Sequence, residues 1–280
     1  MANSAIKTST QMTQMHHYQA VSIVGSDAVK TLQGQMTCDV QKLAISATTP
    51  GLLCDIRGRV QIIGWVHKAS QTELWLITHV SAIGHVQARL RPYLAFSKSK
   101  ATVLSLEHLV ATRPGNEDPT AGCLDLGFAK LVDALAVDPR EQLDLESLAT
   151  AQLEAGIPEL GDTTRAQYTP QALSLDQAGF ISFTKGCYMG QEVIARLHYK
   201  GQAKQTLVLL HHPETTDLID GQTIYDATGV KIGQVISGMN SKARMCLACI
   251  NKRALAQTPV FDRKDWVVVK SFSPLGEPSN

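Results

Sequence analysis

Lys185-Gly186-Cys187-Tyr188-Met189-Gly190-Gln191-Glu192 sets two glycines around one thiol and leads straight into Val193, Ile194 and Leu197, which share one helical face. The preceding run, Phe180 to Phe183, has strand composition, so the segment reads as strand, glycine-rich turn and helix. Gly186 and Gly190 allow close turns, and the free N–H groups that open the helix form a natural anion site. Cys187 then lies near a positive helix end, with Lys185 beside it and Arg196 one turn in, and both features favour the thiolate. Between Lys185 and Lys204 the bases Lys185, Arg196, Lys200 and Lys204 stand against the single acid Glu192, a local excess suited to a carboxylate or phosphate ligand. The plainer alternative is a buried structural thiol, turn glycines and lysines that solvate a helix end.

Outward from this segment, the chain has 280 residues, 44% of them apolar, with 26 basic and 25 acidic side chains. At roughly 150 residues per domain the length suits about two domains, each with a core. The near-zero charge excludes a protein held on nucleic acid mainly by phosphate neutralisation, so no direct nucleic-acid binding is expected. Six scattered cysteines are too few for a disulfide scaffold, and reduced thiols in a cytoplasmic protein are expected. The polar N-terminus lacks the apolar run of a secretory signal, and no apolar stretch approaches the roughly 18 residues of a membrane span. A disordered tail is expected over residues 1–17.

Tyr18 to Val24 reads as a strand, followed by a short helix that Gly34 ends. Leu52 to Ile56 and Val60 to His67 form a hairpin around Arg57-Gly58-Arg59, with Gly58 at positive φ. Glu73 to Thr78 is a further strand, and Ile83, Val86 and Leu90 mark an amphipathic helix that stops at Pro92. Pro114-Gly115-Asn116 and Pro119 mark a loop, and Leu145, Leu148, Ala149 and Leu153 a helix ended by Gly156 and Pro158. From Leu207 the pattern becomes short strands: Leu207 to Leu210, Thr223 to Tyr225, Val230 to Ile236, Met245 to Ile250 and Trp266 to Phe272. Their spacing suggests a small antiparallel β-barrel over 203–280.

Lys-Gly-Cys-Tyr-x-Gly-Gln-Glu followed by an arginine resembles the signature of the YgfZ family, the folate-binding relatives of the glycine-cleavage T-protein, an aminomethyltransferase. Further blocks carry the resemblance: Val24 to Ala28 with Leu32 to Asp39, Asp55 to Arg59, Pro92-Tyr93 with Ser97-Lys98, and Glu154 to Pro158 with Tyr168 to Gln171. It covers most of residues 18 to 205.

The resemblance implies an α+β fold of three lobes around a central folate cavity. Two mixed α/β lobes fill 18–202, the middle one shortened, and the barrel follows. It implies tetrahydrofolate or a one-carbon derivative as cofactor and a role in supporting iron–sulfur enzymes, including those that modify tRNA, with such enzymes as client partners. Cys187 takes the place of the family's functional cysteine, with Lys185, Tyr188, Gln191 and Glu192 in the same motif. Glu192 is expected to face the cavity and accept hydrogen bonds from a pterin. Tyr18, Asp55, Arg57 and Arg196 complete the expected folate contacts, Tyr18 by stacking, while turn solubility is the other account of Arg57. No metal site is expected.

In T-proteins the strand after the Gly58-like turn carries an acidic pair that includes the catalytic aspartate, whereas here it reads Gln61-Ile62-Ile63. A positioned proton-transfer group contributes about 10²–10⁴-fold, so its loss favours an accessory protein over an enzyme. A folate-dependent one-carbon transferase acting on another acceptor is the alternative, with Glu192 or Asp55 as base. The tryptophans that line the folate pocket in relatives have no expected counterpart, since Trp65, Trp75 and Trp266 read as core. Tyr18 and Leu148 stand where aromatic pocket residues are expected. Cys246-Leu247-Ala248-Cys249 lacks a second ligand pair and reads as a strand with its thiols on opposite faces.

Overall fold

The structure is a computed structural model and describes residues 17–106, 109–112, 124–127, 129–133, 142–211, 220–226, 228–240, 244–256 and 267–272. Apart from His17, the expected tail lies outside these residues, as do the Pro114 to Pro119 loop, Cys123 and Trp266.

Apolar runs build a first sheet from β1 (Tyr18–Gly25), β2 (Thr48–Cys54), β3 (Val60–Lys68) and β4 (Glu73–His79), with β5 (Ser99–Leu104) at its edge. All neighbours are antiparallel, in the order β2-β3-β4-β1-β5. Both faces are covered, which explains why these strands read as nearly continuous apolar runs. Val21, Ile23, Ile62, Val66, Leu74 and Leu76 pack on one side, under α1 (Ala28–Gln33) and α2 (Ile83–Leu94). Tyr18, Ala20, Val60, Ile63, Trp65 and Ile77 face the other side and join a second core.

The hairpin expected to run to Ile56 ends at Cys54. Asp55 stops it: its Oδ1 accepts the backbone N–H groups of Arg57 at 2.9 Å and Arg59 at 2.8 Å, and Gly58 has φ +68°. Helix α2 runs past Pro92 to Leu94, because the proline is exposed in the last turn, where its missing N–H disturbs no packing.

A small sheet of β6 (Leu109–Thr112), β7 (Leu124–Asp125) and β8 (Lys130–Asp133) follows, in the order β6-β8-β7. Asp144 caps α3 (Leu145–Glu154) by accepting from Ser147 N at 2.7 Å. Phe180 to Phe183, expected as a strand, has no ladder partner among the described residues. Phe180 O instead accepts from Thr37 Oγ1 at 2.6 Å, and Ser182 N donates to Thr37 O at 3.0 Å. Helix α4 (Gln191–Lys200) then starts after Gly190.

The C-terminal strands β9 (Gln205–His211), β10 (Thr223–Tyr225), β11 (Lys231–Asn240), β12 (Met245–Asn251) and β13 (Val267–Ser271) pair as one antiparallel sheet, order β10-β11-β12-β9-β13. Among the described residues no pairing joins β10 to β13, so the described sheet is open. Its Leu207, Leu209, Ile236, Leu247 and Cys249 enter the core shared with the first sheet. Val208, Cys246, Ala248 and Ile250 pack on the opposite face with Ala254 and Leu255 of α5 (Lys252–Ala256). The two CxxC thiols therefore serve different cores, as strand alternation requires.

Candidate functional site

The residues expected to act together lie in two places. In the first, α4 and the loop before it pack on the Asp55–Arg59 turn. Gly190 has φ +80°, and a Cβ there would lie 2.9 Å from Gly58 Cα, so both turns need their glycines. Gln171 Nε2 holds Ile194 O at 2.9 Å, and Met189 N reaches Gly34 O at 3.3 Å. Cys187 is exposed on this loop, whereas Cys38, Cys54, Cys246 and Cys249 are buried. Burial pushes those four thiols upward, which keeps them protonated.

Lys185 is not a neighbour for the thiol. Its side chain turns inward, and Nζ donates to the carbonyls of Gln33, Met36 and Cys38 at 2.7, 2.6 and 2.8 Å. The ammonium also lies 5.2 Å from the ring centroid of buried Tyr188. Burial lowers Lys185 to about 8, while Cys38 and Asp39 oppose the shift. Three of its donors thus meet three acceptors, and the local basic excess read around Cys187 loses its first member. Gln191 is half-buried, while Glu192, Arg196 and Arg57 are exposed. Asp55 spends its Oδ1 on its own turn.

The second place is a cleft over the first sheet, lined by Tyr18, Ile63, Trp65, Thr78 and His79 from the strands. Ser81 and Ala82 border it ahead of α2, and Gln152, Ile157 to Leu160 and Arg165 close it from the far side. Of the expected contact residues only Tyr18 lines this cleft; Glu192 does not, because it points outward on α4. Tyr18 donates to Gln152 Oε1 at 2.6 Å, and burial raises its phenol, so it stays neutral. Its ring meets Trp65 edge-on at 6.0 Å, and Trp65 meets Phe180 at 5.8 Å. Ile63, from the stretch that lacks the acidic pair, faces the cleft, while Leu148 belongs to the core rather than to the lining.

A carboxylate nevertheless lines it. Glu159 Oε1 lies 2.8 Å from His79 Nδ1, which Ser81 Oγ also approaches at 2.8 Å. Burial alone would raise this carboxyl, but the hydrogen bond and charge of His79, with His17 and Ser81, outweigh it and hold Glu159 below its ordinary range. His17, expected in the loose tail, packs edge-on to His79 at 5.6 Å. Arg165 donates from Nη1 to Gln61 O and from Nη2 to Leu160 O, both at 2.7 Å. Trp65, His79, Gln152, Glu159 and Arg165 are lining residues that the sequence reading missed. The signal available for Glu159 was its position directly after the Glu154 to Pro158 block.

No protein-family model matches the chain. An uncharacterized protein of Haemophilus influenzae is 30% identical over 240 residues, covering 82% of this chain and 85% of that one. The tRNA-modifying protein YgfZ of Colwellia psychrerythraea is 28% identical over 233 residues, 72% of each chain. That of Pectobacterium atrosepticum is 31% identical over 231 residues, 68% of this chain and 66% of the other. Among solved structures, the glycine cleavage system aminomethyltransferase T of Bartonella henselae superposes with a TM-score of 0.62 at 17% identity, over 85% of this chain and 77% of that one, a likeness of fold. With the Lys185 to Glu192 signature on its loop, these relatives along most of its length and this fold, the chain belongs to the YgfZ family.

Proposed function

We propose that the protein is a cytoplasmic, tetrahydrofolate-binding accessory protein that supports assembly or repair of iron–sulfur enzymes, tRNA-modifying ones included, with Cys187 as its functional thiol. In this reading the T-protein-like region spans 18–202 as two lobes, and 203–280 is a third lobe that closes as a small barrel. The observation that carries the reading is the exposure of Cys187, when the other four described cysteines are buried. An exposed thiol is free to meet iron, sulfide or a client.

The cleft suits a folate by its chemistry. Tyr18 and Trp65 supply aromatic surface, Ile63 and Ile157 apolar walls, Glu159 an acceptor for ring N–H groups and Arg165 donors for a carbonyl. Folate enters no step through Cys187, which lies on a different surface element. Titrating the protein anaerobically with tetrahydrofolate is expected to give saturable binding, weakened by Trp65→Ala; no saturable binding near millimolar ligand contradicts the reading.

One observation favours the second reading, a folate-dependent one-carbon transferase acting on an unknown acceptor. The missing strand carboxylate is matched by the His79 and Glu159 pair in the same cleft, two groups at hydrogen-bond distance that can hold and pass a proton. Turnover of methylene-tetrahydrofolate with candidate amines or thiols separates the readings.

A further inference from the structure

Resting on the reading of Cys187 as the functional thiol, we propose that the outward side of α4, with the Phe183 to Cys187 loop and the Asp55 to Arg59 turn, is a docking face for a partner protein that presents carboxylates around an apolar side chain.

The near-even charge of the whole chain hides a division. Residues 17–106 and 181–204 carry 13 of the 26 basic side chains and only 5 of the 25 acidic ones. The two segments meet where Gly190 packs on Gly58, so Arg57 lies beside the start of α4. On α4, Glu192, Arg196, Tyr199 and Lys200 are all exposed and follow one another at helical spacing, which makes them one ridge on the side away from buried Ile194. Among the described residues, Arg57, Arg196, Lys200 and Lys204 make no side-chain hydrogen bond or ion pair, and Glu192 is the single acid of 181–204. Four bases without acidic partners leave a positive field that carboxylates complement.

The same face carries apolar surface. Ile56 on the turn is 75% exposed and Tyr199 67%. The Tyr199 ring is held edge-on to His198 at 4.8 Å and to Phe183 at 6.3 Å, while Phe183 and His198 stack on each other at 3.7 Å. A ring supported in this way has little rotamer freedom left to lose on binding. Tyrosine and arginine are the residues that anchor protein interfaces. An RNA strand needs open ring faces for its bases, and Phe183 and His198 each spend one face on the other. Cys187 stands on the loop between Phe183 and Gly190, so a protein seated here covers the thiol.

The test uses the full chain and three fluorescent probes: an acidic peptide with carboxylates flanking a Phe-Leu pair, the same peptide with lysine at each carboxylate, and a short single-stranded RNA. The acidic peptide is expected to bind wild type at least about tenfold tighter than either other probe and to weaken as salt rises. Tyr199→Ala and the double variant Arg196→Ala/Lys200→Ala, at wild-type thermal stability, are each expected to lose about tenfold of that affinity. Saturating peptide is expected to slow alkylation of Cys187, read at that residue by mass spectrometry. Tighter binding of the RNA overturns the proposal in favour of a nucleic-acid partner. Peptide binding that ignores both variants, or that leaves Cys187 alkylation unchanged, overturns the face, as does no binding of the acidic peptide. The thiol reading fails separately, by full rescue of iron–sulfur enzyme activity with Cys187→Ala.

Discussion

Lys185 shows how a motif residue can be misread from spacing alone. Two residues before Cys187 in sequence, it suggests a charge that tunes the thiol, but its side chain is buried while Cys187 is exposed. Its work is to satisfy the carbonyls of Gln33, at the end of α1, and of Met36 and Cys38 in the segment that follows it. Replacing Lys185 with Met keeps the stem and strands three acceptors, each costing about 1–3 kcal/mol when buried and unpaired. The expected loss is about 3 kcal/mol or more in urea unfolding, and Lys185→Arg does not recover it, since a planar fork cannot converge on three carbonyls. A loss under 1 kcal/mol contradicts this role. Glu159 was illegible for the converse reason: it sits in no periodic element, and only the fold brings it to His79.

Among the elements, the sequence located α3, α4 and β1 to β4 of the first sheet because a covered sheet and amphipathic helices leave clear apolar periods, but it did not read β5, an edge strand whose side chains are mostly not buried. It failed at Phe180 to Phe183, where apolar composition serves packing on Trp65 and the backbone bonds go to Thr37. It also read Trp65 as core, which its burial supports, without seeing that a buried ring on β3 can line a cleft. The contact that sets α4 on the first sheet is between two glycines at positive φ. Gly190→Ala is expected to lower stability by about 1–3 kcal/mol, because Cβ meets both an unfavourable φ and the Gly58 backbone. Its signature is faster proteolysis or hydrogen exchange in 186–200 before global unfolding; unchanged protection there contradicts the argument.

At the scale of the molecule, one core joins the first sheet, the 143–194 segments and the C-terminal sheet, and the Ser237 clamp on Glu159 ties the last sheet to the cleft wall. Fold class and family were legible because their signals are distributed over several blocks. The separation of cleft and thiol was not, because only the fold brings Tyr18, His79 and Glu159 together in a lining that leaves out Cys187. The proposed function requires Cys187 to be a working thiol rather than a packing residue. Its most direct test is rescue of iron–sulfur enzyme activity in cells lacking the protein, comparing wild type with Cys187→Ala at matched abundance. Cys187→Ala is expected to fold with unchanged thermal stability, still bind tetrahydrofolate and fail to rescue; full rescue by Cys187→Ala would contradict the role of the thiol.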